Sequence, residues 1–322
     1  MNDKKLNLII GWICFLISFI VYYLTAEPTV SFWDTGEYIT TSAKLQVGHP
    51  PGAPLYQMLG AIFSVFAFQK ENIGFTMNLM SGFSSALTIS FMYWSIIMIL
   101  KKLTNETDDS LKNQLIISGS AFIGSISFAF TDTFWFSAVE TEVYAMATLI
   151  MAIMFYLGLK WESEMHQERG NRWLLLICYL VGLSFGVHFM GLLVIPAIVM
   201  IYYFKNQKEI LESFNVSPFF GFIIANIIGV VILMGIFKLI LPTTLKFFSA
   251  TELLFVNNLG LPFNSGTIAA FIAIVYIFYF FINLSRKKGL KNSNTLTLCF
   301  LFIFIGFSSW LILPIRAYAD VV

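Results

Sequence analysis

The sequence predicts an all-α polytopic membrane protein. Three observations carry that prediction: 58% of the 322 residues are hydrophobic, only 11% are charged, and the apolar residues fall in repeated runs of span length. Soluble domains hold about 25% charged residues, so this chain has too little charge to cover a water-facing surface. A net charge of +1, with no basic run interleaved with aromatics, sets nucleic-acid binding aside.

Span positions follow from length, because a helix needs about 20 apolar residues to cross the hydrocarbon. Nine candidates emerge: residues 6–24, 73–100, 115–130, 143–160, 173–187, 189–204, 218–241, 267–284 and 295–313. The first follows a charged "MNDKK" lead, but its apolar stretch exceeds the ~7–15 residues of a signal peptide and no small-x-small site follows. It reads as a retained span. Residues 173–204 would form a helix of roughly 48 Å at 1.5 Å rise, too long for one span and short for two. Gly186-Val187-His188 divides it into two short helices.

Charge sets the expected orientation. With the N-terminus cytoplasmic, fourteen of the nineteen basic residues fall inside, and Lys44, Lys70, Lys238, Lys246 and Arg316 fall outside, which satisfies the positive-inside rule. Nine of the eighteen acidic residues, Asp320 among them, fall outside, so that face is net negative. Cys14, Cys178 and Cys299 lie in apolar runs and read as small hydrophobes, with no disulfide and no zinc site expected. The spans are nearly free of charge and show no internal repeat, which argues against a transporter or flippase with midplane ionisable groups.

The first outside loop covers about residues 27–72 and contains "SFWDTGEYITTSAKLQVGHPPGAP". Its second half, residues 55–68, is apolar but too short to cross, and predicts an interfacial or re-entrant helix. "DTGEYITTSAKLQ" predicts a short helix with Asp34 at the N-cap and Glu37 at N3. That spacing fits a capping box. It equally puts two carboxylates on one helix face, where crowding and burial can tune one into a general base. Pro50 and Pro51 stiffen the turn between Gly48 and Gly52, so His49 is either incidental to a helix breaker or the rigid edge of a site.

The second outside loop, "TDTFWFSAVETEVYAM", adds Asp132, Glu140 and Glu142. Two residues apart on a helix, Glu140 and Glu142 would point differently, so one of them is expected to face the first loop. Phe134, Trp135, Phe136 and Tyr144 form either an interfacial aromatic belt or a binding platform. His188, between two short helices rich in glycine, is either a satisfied core histidine or a ligand contact.

An acidic pair early in the first outside loop, about a dozen residues, "VGHPPGAP" and then an interfacial apolar helix resemble the GT-C superfamily of membrane glycosyltransferases. The variant "WDTGEY…KLQVGHPPGAPLY" is most similar to a bacterial and animal protein O-mannosyltransferase-like family. In many GT-C enzymes the acidic residues are adjacent, whereas Thr35-Gly36 separates them here. Family members also continue past this point into a soluble portion, so residues 1–322 read as a single GT-C-like transmembrane domain that lacks that region.

The resemblance implies a polyprenyl-phosphate sugar donor, with mannose as the sugar, and an exported protein whose hydroxyl is the acceptor. It implies inversion at the anomeric carbon, with Asp34 as general base beside Glu37, on the extracytoplasmic side of the inner or plasma membrane. Arg316, His188, His49 and Lys238 are then the candidates for the donor phosphate. Arg316 leads, because a guanidinium just past the last span can pair a phosphate bidentately, although Arg316 and Lys238 can each simply snorkel. Lys246 and Lys44 are reserves. Glu140, Glu142 and Tyr144 make the acceptor or second-loop site. No cofactor is expected: a divalent ion on Asp34, Glu37 and Glu140 would suit magnesium or manganese chemistry, but the resemblance does not favour one. The rival within the same fold is a non-catalytic subunit that binds lipid-linked glycans.

Overall fold

The computed structural model describes residues 3–104 and 110–317; Asp320 lies outside them. In chain order the helices are α1 (Asp3–Thr25), α2 (Thr35–Ala43), α3 (Pro54–Ser64), α4 (Ile73–Leu103), α5 (Leu111–Ala129), α6 (Asp132–Val139), α7 (Val143–Glu164) and α8 (Asn171–Ser184). They continue as α9 (Ile195–Lys205), α10 (Gln207–Phe214), α11 (Pro218–Gly235), α12 (Leu241–Leu253), α13 (Ser265–Lys287), α14 (Lys291–Phe307) and α15 (Ile312–Ala317). Among the described residues no strand occurs, and every one of the nine apolar segments is helical.

Six helical stretches are long and apolar enough to cross a membrane, and up to eight if two bent pairs each count as one span. Those pairs are α5 with α6, bent by 65°, and Phe189–Lys205 with α10, bent by 79°. The ninth segment, α8, has only 14 residues. The chain is thus an all-α polytopic membrane protein.

α4 is the central helix and packs on α1, α5 and α7, while α7 leans on α8 and α8 on α14. The α8–α14 contact is a backbone-to-backbone approach: a Cβ on Gly182 would overlap the Ile303 carbonyl, and one on Gly306 the Tyr179 carbonyl. Small residues permit such contact where lipid supplies no hydrophobic drive between helices. By contrast α11 and α13 present Phe219, Val231, Ile272 and Phe280 outward, as lipid-facing helices do.

The expected break at Gly186-Val187-His188 is present: α8 stops at Ser184 and a 3-10 turn, Phe189–Val194, restarts the helix. The break has a partner. The Gly186 carbonyl accepts from the Leu55 and Tyr56 N–H groups at 2.8 and 3.1 Å, so it satisfies the otherwise orphaned donors at the start of α3. The short helix α3 is thereby held against the bundle, with Val65, Phe66 and Phe68 exposed beyond it, the pattern of an interfacial segment.

One buried amide fixes where the loops sit. Asn78 on α4 is fully enclosed; its Nδ2 donates to the Glu27 and Thr29 carbonyls at 2.7 and 3.0 Å, and its Oδ1 accepts from the Thr141 hydroxyl at 2.5 Å. The Glu27 N–H also donates to the Val139 carbonyl at 2.9 Å. The start of the first loop and the end of α6 are therefore fastened to one point on α4. Asn78→Ala would leave buried carbonyls and a hydroxyl unpaired, and each such group costs about 1–3 kcal/mol. The expected outcome is a loss of about 3 kcal/mol or more, read as a lowered melting temperature of the detergent-solubilised protein; an unshifted melting curve would remove the clamp.

Candidate active site

Asp34 sits at the N-cap of α2 as expected, but the capping reading fails. Its backbone is already helical and its side chain makes no capping hydrogen bond. Glu37 does not turn back to the Asp34 N–H either: its Oε1 accepts from the His49 N–H at 2.6 Å and its Oε2 meets His49 Nδ1 at 3.0 Å. A donor twelve residues away outcompetes the local box because it supplies both a main-chain and a ring contact. The Asp34 N–H instead favours the ionised form of the Glu142 carboxyl across the two loops.

Gly48 makes the Glu37 grip possible. A Cβ there would lie 3.2 Å from Glu37 Oε1 and 2.8 Å from Gln57 Nε2, so a side chain would force Gln57 to shift and crowd the carboxylate. The His49 N–H holds the Glu37 carboxyl below its ordinary range, with burial opposing and the His49 ring adding to the effect. Reciprocally, the Glu37 hydrogen bond raises the His49 pKa. The other ring nitrogen, Nε2, lies 3.9 Å from Asp34 Oδ2.

Glu140 and Glu142 both face the first loop, not one of them alone. The connection before α7 is a tight turn with extended flanking residues, in which the Glu142 N–H donates to the Glu140 carbonyl at 3.0 Å. Out of this turn Glu140 accepts from the Ser31 hydroxyl at 2.7 Å, and Glu142 reaches the Asp34 main chain. Burial, then the Asp34 and Glu140 charges, push Glu142 up to about 7 against the N–H groups of Val143 and Asp34. Tyr38 is driven well up by burial and then by the charges of Glu142, Asp34 and Glu37, so its phenol keeps its proton.

Tyr144 meets the His188 ring edge-on at 5.2 Å. His188 Nδ1 accepts from the Met190 N–H at 3.1 Å, and burial lowers its pKa. It is therefore a neutral imidazole that carries its proton on Nε2. Lys238 lies over Phe237 at 5.1 Å, and Phe237 packs on Phe189 at 4.8 Å, next to His188 in the chain. Arg316 stands at the other end of α2 from Asp34, where its Nη2 donates to the Lys44 carbonyl at 3.4 Å. With Lys44, Met58, Ile62 and Val65 it lines a groove of about 480 Å³.

The structure thus brings Asp34, Glu37, His49, Glu140, Glu142, Tyr144 and His188 to one end of the bundle, with Lys238 and Arg316 at its margins. Phe134 and Trp135 instead pack on Phe128 and Phe130 of the α5 end, a belt-like position. Among the described residues Asp34, Glu37 and His49 are the one group whose ligand atoms lie within 4.8 Å of one another. The trio expected to suit an ion, Asp34, Glu37 and Glu140, does not converge, because Glu140 is turned to Ser31. Residues that the sequence reading passed over are Asn78, Ser31 and the exposed pair Phe32 and Trp33, with Trp33 in left-handed backbone at φ 61°. Only that pair had a signal, two aromatics beside an acid in a polar loop.

The family model described as the Protein O-mannosyl-transferase TMEM260 N-terminal domain matches residues 34–211, more than half of the chain. The chain belongs to this family. The matched stretch opens on Asp34 and takes in His49, Glu140, Glu142, Tyr144 and His188, but not Lys238 or Arg316. Relatives named protein O-mannosyl-transferase TMEM260 share 22% identity over 70% of the chain in Dictyostelium discoideum and 23% over 59% in Mus musculus. The matched parts are 27% and 25% of those proteins, so the chain spans about a quarter of the length of the relatives it matches. No solved structure matches it.

The TMEM260-type domain carries a built-in pH response at Glu142. A carboxyl raised from its ordinary 4.5 to about 7 holds its proton in the folded state where the unfolded chain has lost it, so the stability it contributes is present at acid pH and lost as pH rises through about 7. Glu142→Gln mimics the protonated form. Between pH 5 and pH 8 the variant's melting temperature is expected to fall less than the wild type's, and parallel curves would show that Glu142 does not titrate there.

Proposed function

We propose that this domain transfers a mannosyl group from a polyprenyl-phosphate donor to a hydroxyl of an exported protein, as a GT-C-type enzyme working at the extracytoplasmic membrane interface. The observation that carries the reading is the state of Asp34. Its carboxylate is about half exposed, with 55% of the side-chain surface open, is released from capping, and sits where the two loops meet. Family membership and the names of the relatives support mannosyl transfer to protein. The donor, the inversion and the residue roles are the proposal.

The acceptor oxygen attacks the anomeric carbon while the bond from that carbon to the phosphate oxygen breaks. The departing electron pair leaves with the lipid phosphate, and the hydroxyl proton passes to Asp34. Attack from the face opposite the phosphate inverts the centre. A serine or threonine hydroxyl is a poor nucleophile until a carboxylate takes its proton, and negative charge grows on the departing oxygen, where N–H donors lower its energy. His188 Nε2–H supplies such a donor without charge. Arg316 lines an apolar groove, which suits a lipid tail beneath a phosphate. No step requires a metal ion.

Asp34→Asn is expected to lower transfer about 10²–10⁴-fold, the usual worth of a general base, with the melting temperature kept because no capping bond is lost. The check is mannose transfer by membranes containing the full-length protein, beside the melting curve of the purified variant. Retained transfer would sink the catalytic assignment. Arg316→Gln is expected to raise the donor KM with a smaller change in kcat, measured by varying donor concentration in the same membranes.

A further inference from the structure

We infer that His49, oriented by Glu37, is the second station of a proton relay that empties Asp34 after each transfer. The inference rests on the proposed function, because it concerns the proton which that reaction delivers to Asp34.

The argument begins with hydrogen-bond chemistry. Glu37 accepts the His49 main-chain N–H at 2.6 Å, so its carboxylate is anchored beside the ring. An ionised carboxylate can only accept, so the 3.0 Å contact at Nδ1 requires the proton to sit on Nδ1. In neutral His49 the lone pair is then on Nε2, and Nε2 is the nitrogen that faces Asp34 at 3.9 Å. This is the order carboxylate, imidazole, proton donor found wherever an imidazole is held in one tautomer as a base.

The gap to Asp34 exceeds a hydrogen bond, but both side chains are about half exposed, at 44% and 55%, and catalytic hydrogen bonds are commonly long before substrate binds. The main chain cannot drift, since Gly48 admits the Glu37 carboxylate from one side and the Pro50-Pro51 turn follows. The charged or titratable groups that face His49 are Glu37 and Asp34 from α2 and Glu142 from the second loop, with the Tyr38 ring at 6.2 Å. All three acids are anions or potential anions, so the surroundings favour an imidazolium once the proton arrives. The balance closes simply: Asp34 gains the proton of the acceptor hydroxyl, passes it to Nε2, and His49 as the imidazolium releases it to water. No oxidant or further reactant is involved.

The relay differs from a purely structural turn in what rescues it. Membranes carrying full-length wild type, His49→Ala, Glu37→Gln or Asp34→Asn are assayed with radiolabelled polyprenyl-phosphate mannose and a folded acceptor domain bearing serine and threonine, across pH 5.5–8.5. With His49→Ala, kcat is expected to fall about 10²-fold at unchanged donor KM, within the range for a proton-transfer group. The acid limb of the wild-type profile, where His49 is already protonated, should vanish. Added imidazole should restore the rate in proportion to its free-base concentration. Glu37→Gln presents an amide N–H to Nδ1, moves the proton to Nε2, and should reproduce the loss in a folded protein.

Unchanged kcat and pH profile in both His49→Ala and Glu37→Gln would overturn the relay. So would a loss in His49→Ala that no imidazole concentration repairs while Glu37→Gln remains active. If Asp34→Asn abolishes transfer but the His49 variants behave in either of those ways, the relay alone falls. If Asp34→Asn transfers normally, the proposed function falls with it.

Discussion

The site depends on the Asn78 carboxamide. An amide buried in an apolar bundle without partners costs several kcal/mol, so Asn78 is tolerated only because three groups from two loops saturate it. Of those groups, the Glu27 and Thr29 carbonyls precede Asp34 and Glu37, and the Thr141 hydroxyl stands between Glu140 and Glu142. Remove the amide, and nothing in the hydropathy of α4 or α7 sets the distance between Asp34 and Glu142. The Ser31 hydroxyl then acts as a finer fastener, tying the Glu140 carboxylate of the second loop to the first. The helices supply only the platform, and hydrogen bonds between loops set the register of the chemistry.

Four carboxylates at one end of a bundle repel one another, and the structure answers each differently. Glu140 has the Ser31 hydroxyl, Glu142 is buried with a raised pKa, and Glu37 has both donors of His49. Asp34, by contrast, keeps 55% of its side-chain surface exposed. Glu140 and Glu37 thus hold the loops, Glu142 is buried beside them, and the exposed Asp34 is left open to a ligand. Such division of labour is what a base requires, since a carboxylate already saturated with donors has little use for another proton.

What the sequence made legible was whatever depends on one-dimensional length and composition. The nine helical segments, the interfacial character of α3 and the break before His188 all follow from how much apolar chain fits a bilayer and where glycines interrupt it. The carboxylates were legible as types but not as roles. The capping box looked local because Asp34 and Glu37 satisfy an i, i+3 rule, yet His49 offers two donors to Glu37, and two outweigh one. Glu140 and Glu142 were read on a helix, where they diverge, whereas the turn before α7 lets both reach the first loop. Asn78 carried no signal at all, because one amide in a 31-residue helix looks the same whether it faces lipid or a pair of loop carbonyls.

The separation of positive from negative groups constrains the proposed reaction further. In an inverting displacement the base and the group that stabilises the departing oxygen lie on opposite faces of the sugar, and in inverting glycosidases the two carboxyl groups stand about 6.5–9.5 Å apart. The ten residues from Asp34 to Lys44 at 1.5 Å rise put Arg316 roughly 15 Å along α2 from the base, beyond that span. His188 is nearer in contacts: it touches Tyr144, which lies two residues after Glu142, and the Glu142 carboxyl feels the Asp34 charge. A neutral imidazole with Nδ1 already engaged offers one directed N–H and no charge to attract a loose anion. Under the proposed function the departing oxygen is assigned to His188, and the distant guanidinium to the lipid phosphate as it docks or leaves. That assignment makes His188 a determinant of kcat and Arg316 a determinant of donor KM.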